Sequence, residues 1–236
     1  MKKFELTSET KINIFGKKLF RIKALISFGN VEAGETGGWV EKEENVNQSG
    51  DAWVFDNAEV FDNARVSDNA RVSGNAWAFG NARVSDNARV SGNAWAFGNA
   101  RVSDNARVSG NARVFGNARV SYNARVSGNA RVSYNAEVSG NAEVFDNAWV
   151  FGNARVFDNA DYATIHGFGT QFRTTTFFRC KDKQVKVSCG CFYGTIPEFR
   201  EQVKNTRKGK IAEEYLMIAD LMEKHFAEEA KIEEAS

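Results

Sequence analysis

From Asp51 to Asp161 apolar and polar residues alternate in a six-residue beat, Asn-Ala-x-Val-y-(Gly or Asp). In the copy Ala88-Arg89-Val90-Ser91-Gly92-Asn93, Ala and Val fall on one side of an extended chain and Arg and Ser on the other. A period of two marks a strand with one buried face. The Gly-Asn or Asp-Asn pair that interrupts it tolerates a left-handed backbone, so each pair turns a corner. Three four-residue strands and three two-residue corners close a triangular coil of 18 residues. Residues 65–82, RVSDNARVSGNAWAFGNA, recur unchanged at 83–100, and 101–118 differ only where Arg113 and Val114 replace Trp-Ala. The period predicts a solenoid with an Ala/Val core, coils stacked at about 4.8 Å, and corner asparagines bonded in ladders.

The two ends break the beat. Lys11–Phe15 and Leu19–Phe28 read as strands about the turn Gly16-Lys17-Lys18, with Phe20, Ile22, Ala24, Ile26 and Phe28 on one buried face. The six-residue step from Val40 to Val46 anticipates the repeat, so residues 1–50 are expected to form a hairpin cap and an irregular first coil, followed by the repeat over 51–165. In 166–236, Thr170–Cys180 and Gln184–Tyr193 predict two strands, with Val185, Val187, Cys189 and Cys191 on one face. Thr195-Ile196-Pro197-Glu198 is a capping box that starts a helix reaching about Arg207. After Gly209 a second helix carries Ile211, Tyr215, Ile218, Met222 and Phe226 as one apolar stripe, and the acidic tail Ala227–Ser236 is expected to fray. These elements would plug the open end of the prism or join an oligomer interface.

Composition narrows the function classes. A net charge of +1 makes any electrostatic reading a local one. No apolar run nears the ~20 residues of a membrane span, and MKKFELTSET lacks a signal peptide's apolar stretch. Three cysteines, an odd number, fit reduced thiols, so a cytoplasmic location without membrane contact is expected.

The beat Val-Ser-Asp-Asn-Ala-Arg resembles the hexapeptide repeat of left-handed parallel β-helices, a family best known for trimeric acyltransferases. The resemblance implies an all-β solenoid, a left-handed parallel β-helix with an N-terminal β cap and a C-terminal α+β cap. Leu19-Phe20-Arg21-Ile22, Gly37-Gly38-Trp39-Val40-Glu41 and the Asn-Ala repeats look more like the YdcK-like proteins of bacteria and phages. That likeness permits a phage-borne inhibitor of a host protein.

With a period of 18, outward residues sort into three columns. Phe61, Trp77, Phe79, Trp95, Phe97, Phe115, Trp149 and Phe151 share one face. So large an apolar column exceeds what a soluble monomer usually exposes. Where Trp77 and Trp95 point out, Ala78 and Ala96 replace the interior Val, so core volume is lost where outer apolar surface is gained. Three occupants are open: a second or third copy of the chain, the chain's own C-terminal segment, or sugar rings. The other faces carry Arg71, Arg89, Arg107 and Arg125, and Arg65, Arg83, Arg101 and Arg119, with Asp68, Asp86 and Asp104 in the corner between them. These columns read either as a solvated surface, their repulsion partly offset by the Asp column, or as a docking stripe for an anionic partner. An acidic protein is favoured over nucleic acid, because no aromatics interleave these faces to stack bases.

Catalytic chemistry has little to stand on. The chain holds two histidines, His166 and His225, too few for a three-histidine zinc site. The pair Cys189 and Cys191 is explained by strand alternation, and no metal is expected. His166, at the end of the last coil, is the one candidate general base, and acyl-CoA chemistry follows only if the acyltransferase resemblance extends to function. No loop interrupts the repeat to build an acceptor site. The favoured reading is a cofactor-free, non-enzymatic scaffold or binding protein that forms dimers or trimers through its aromatic face. The acyltransferase acting at a subunit interface is the alternative.

Overall fold

The computed structural model describes residues 1–232. Two six-stranded parallel sheets and the parallel part of a nine-stranded sheet form the three walls of a β-solenoid. From Trp53 onward register advances by one 18-residue coil at every step, so Arg89 lies beside Arg71 and Arg107, and Trp95 beside Trp77 and Arg113. Ala and Val fill the interior and are fully buried from Ala52 to Val156.

Strict strand pairing covers two residues per side, such as Arg89–Val90, not the four expected. The corner begins at once, with Gly92 at φ +67° and Asp86 at φ +58°. The flanking residues still bond between coils: Ser91 N donates to Val108 O at 2.9 Å and Asn93 N to Gly110 O at 2.8 Å. The corner asparagines form the expected ladders, with Asn81 Nδ2 donating to Asn99 Oδ1 at 3.1 Å and Asn99 to Asn117 at 3.0 Å.

At the N-terminal end, β1 (Phe4–Ile12) pairs antiparallel with β2 (Lys18–Ala24), and β2 with β3 (Thr36–Val40), which starts the parallel stack against Glu59–Val60. Val46 bridges in parallel to Val66, so the six-residue step from Val40 to Val46 is a corner of the first coil. The first strand begins at Phe4, not Lys11, and the second stops at Ala24, where the chain turns so that Phe28 lies 5.3 Å from the Trp53 ring. Phe4, Ile22, Ala24 and Val31 join the solenoid core and close its end.

Lys3 is buried there, its Nζ donating to Ala52 O at 2.9 Å and Gly50 O at 3.2 Å. Burial pulls its ammonium down to about 8 from the usual 10.5, with Asp51 opposing. Below pH 8 both folded and unfolded chains hold this proton, and the desolvation cost is complete. Between about 8 and 10.5 the unfolded chain binds more protons, so stability rises with pH across that window. Urea unfolding of the wild type relative to Lys3→Met is expected to gain about 1–2 kcal/mol between pH 7.5 and 9.5. Parallel pH profiles of the two proteins would refute this.

The C-terminal end carries a four-stranded antiparallel sheet in chain order: Tyr162–Phe168, Arg173–Arg179, Val185–Cys189 and Phe192–Thr195. Its first strand was not anticipated, and the boundary placed at residue 165 falls inside it. Gly190 and Cys191 form the last turn, so Cys191 is exposed and does not share the face of Val185, Val187 and Cys189. Helix α1 (Ile196–Thr206) starts at the expected box, with the Glu198 carboxylate accepting from Thr195 N at 2.6 Å. Helix α2 (Gly209–Ile232) runs past Ala227, where fraying was expected, and the rest of the acidic tail lies outside the described residues.

The terminal sheet has two covered faces. Phe178, Tyr162 and Cys180 join the solenoid core, while Phe177 and Val187 pack with Phe199, Tyr215, Ile218, Met222 and Phe226 of the helices. The last coil is thus closed by a strand, and the helical stripe packs on that sheet. No helix among the described residues is long and apolar enough to cross a membrane.

Candidate interaction surface

Because register is fixed at one coil per step, like side chains stack. Phe61, Phe79, Phe97 and Phe115 follow one another at 5.0 Å with planes within 5° of parallel, and Trp77 stacks on Trp95 at 4.9 Å. All the aromatic residues expected on one face lie on this wall.

The chain itself covers both ends of the column. Phe15, in the turn between β1 and β2, lies 5.8 Å from Phe61, 5.6 Å from Trp77 and 5.5 Å from Phe79. Polar contacts pin that turn: Asn13 Nδ2 donates to Glu59 at 3.2 Å, Lys11 pairs with Glu59 at 2.8 Å, and Lys17 with Asp62 at 2.7 Å. Phe61 is left 1% exposed, which removes it from any surface a partner can reach. At the other end Tyr193 of the terminal sheet lies 4.5 Å from Phe151, and Trp149 Nε1 donates to Ser133 Oγ at 3.2 Å. The C-terminal segment therefore covers one end, as one of the readings had it, but the N-terminal turn covers the other. Trp95, Phe97 and Phe115 stay half-buried in the middle, with Arg113 placed 4.5 Å over the Trp95 ring.

The arginine columns lie on the other two walls, in register from coil to coil. At the C-terminal end Arg119 meets Glu137 at 3.9 Å and Arg125 meets Glu143 at 3.1 Å. Among the described residues Arg65, Arg83, Arg89, Arg101 and Arg107 have no carboxylate partner, and Arg71 lies 5.9 Å over the Phe55 ring. The corner aspartates do not pair with them. Asp86 accepts from Ser85 Oγ at 2.8 Å and from Asp104 N at 3.4 Å; Asp104 accepts from Ser103 Oγ at 2.9 Å and from Tyr122 N at 3.3 Å. Those carboxylates hold the corner backbone, so any relief they give the arginines acts through space alone.

His166 lies on the first strand of the terminal sheet, not on a coil, exposed and 3.3 Å from Thr174 Oγ1. His225 is exposed beside Phe226. Burial pushes the Cys180 thiol up to about 11, with Asp182 adding to the rise. No group of three His, Cys, Asp or Glu among the described residues is arranged to hold a metal ion.

Sequence reasoning missed Phe15 and Tyr193, the two rings that cover the column. The available signal for Phe15 was its chemistry: a large apolar residue between Asn13 and Gly16, in a turn that ordinarily takes polar residues.

Residues 64–80, 82–96, 100–114, 106–122 and 124–140 match the family model described as the YdcK beta solenoid repeat. No curated protein matches the chain. The coils between residues 64 and 140 are thus similar to YdcK β-solenoid repeats.

Proposed function

We propose that this chain is a non-enzymatic binding protein that presents its arginine ladders to an acidic surface on a partner protein, and that copies associate through the open middle of the aromatic column. The observation that carries the reading is two columns of exposed, in-register guanidiniums that have no carboxylate partner among the described residues, Arg65, Arg83 and Arg101 on one wall and Arg89 and Arg107 on the other. Guanidiniums one coil apart repel weakly in water, and opposing carboxylates relieve that repulsion through paired hydrogen bonds. A rigid parallel stack holds the donors in place before binding, which lowers the ordering cost of the complex. Between Arg83 and Arg107 serines stand beside the arginines, and the exposed rings Tyr122, Phe145 and Phe157 lie farther along the stack, which favours carboxylates over stacked bases.

The immobilised chain is expected to retain polyglutamate at low salt and to lose at least about tenfold in affinity on moving to moderate salt. Charge reversal at Arg83, Arg89, Arg101 and Arg107 to Glu should abolish retention without loss of the folded β signal. Tighter binding of a single-stranded oligonucleotide than of polyglutamate would overturn the choice of partner. For self-association, light scattering should give a multiple of the chain mass that falls to the monomer in Trp95→Arg/Phe115→Arg. A monomeric mass in both proteins would sink that part of the reading.

A further inference from the structure

The terminal sheet and its helices line a half-open cavity of about 280 Å³, away from the arginine walls and the aromatic column. Arg173 and Arg207 line it together with Phe192, Phe199, Tyr215 and Cys191. No carboxylate lines it, and among the described residues neither guanidinium has an ion-pair partner. Arg207 donates through Nη1 to Thr206 O at 3.2 Å and keeps its remaining donors. Arg173 lies across the Gly190 turn, where a Cβ would stand 2.5 Å from its Nη1. Gly190, at φ +62°, therefore makes both the turn and the space for the guanidinium. The two arginines thus line one cavity from different elements, a strand and the end of a helix. Burial and then Cys189 raise the Tyr215 hydroxyl, while Arg207 and Arg173 both act against that rise.

We propose that this cavity binds a small organic anion, its carboxylate or phosphate held between Arg173 and Arg207 and its planar body against Phe192, Phe199 and Tyr215. Guanidinium groups match both head groups with paired donors, and the aromatic walls favour an offset-stacked ring. The volume lies near the low end for ligand pockets, enough for a ring system with one head group and too small for a dinucleotide. A stretch of polymer does not fit, so this site is independent of the arginine ladders.

The test is calorimetric titration of the full chain with 2-naphthoate, 2-naphthyl phosphate and the neutral 2-naphthylmethanol. One site is expected, with at least one of the anions bound about tenfold or more tighter than the alcohol; which anion leads identifies the head group. Arg173→Gln/Arg207→Gln should remove that advantage, and Arg83→Gln/Arg101→Gln should leave it intact. The better anion should also slow modification of Cys191 by a neutral thiol reagent, a readout that needs no variant. Equal binding of anion and alcohol, no binding of any probe, or loss of binding in the ladder variant instead of the cavity variant would each overturn the proposal.

Discussion

Trp53→Ala is expected to destabilise the chain by about 3–5 kcal/mol in urea unfolding. Trp53 pairs in register with Arg71, at a position where later coils carry an arginine, yet it is fully buried. Phe4 and Phe28 meet its ring edge-on at 5.8 and 5.3 Å, and a Cβ at Gly37 would stand 2.6 Å from its Cζ2. One side chain thus joins the hairpin, the irregular loop and the first coil. In a solenoid each coil touches only its neighbours, so an open end exposes the Ala/Val core of the next coil. Trp53→Phe separates packing from polarity. The smaller ring keeps the edge contacts and removes an indole N–H that has no partner among the described residues, so its cost should be about 1–2 kcal/mol. Hydrogen exchange should show amides near residues 53–72 opening first in Trp53→Ala. A change below about 1 kcal/mol would mean that the hairpin does not stabilise the stack.

What was legible in the sequence is what depends on neighbours within one coil. Alternation of Ala and Val with Arg and Ser is local, and so are the Gly and Asp corners, the asparagine ladder and the Thr195–Glu198 box. The period of 18 also sorted the named aromatic and arginine columns onto separate walls, though not the rings Phe55, Phe145 and Phe157 that share the arginine walls. What was not legible depends on distant parts of the chain. β1 reads FELTSETKI, in which only Phe4 and Leu6 turn apolar side chains inward, and it is ordered by pairing with β2. The strand Tyr162–Phe168 follows Asp158-Asn159-Ala160-Asp161, which imitates the repeat's corner but turns the chain through a short 3-10 helix instead. The burial of Phe61 follows from where the Phe15 turn lands, and no periodicity reports that. Arg173 and Arg207 come from a strand and a helix end that only the tertiary fold brings to one cavity.

Gly98→Val should cost about 2–4 kcal/mol, and Gly98→Asp about 1 kcal/mol or less. Gly98 has φ +68°, and a Cβ there would lie 3.1 Å from Gly116 N, backbone of the next coil that cannot move away without breaking its own ladder. A β-branched side chain adds a steric penalty in the left-handed region that Asp and Asn largely escape. The protein already displays this rule: Asp62, Asp68, Asp86, Asp104 and Asp146 occupy corners at φ 57–59°, as does Tyr134 one step beyond Gly116, and among the described residues no β-branched residue does. The Asp at such a corner is also positioned to accept from a backbone N–H one coil on, as Asp62 does from Gly80 N at 3.2 Å. Gly98→Asp should therefore recover part of its strain through Gly116 N, whereas Val has nothing to offer that donor. Thermal unfolding of the two variants side by side reads the difference. Equal losses would show that crowding against Gly116, not backbone conformation, governs the corner. A tolerated Val would show that coil spacing relaxes at the corner, and the Gly/Asp alternation of the beat would then need a cause other than the backbone.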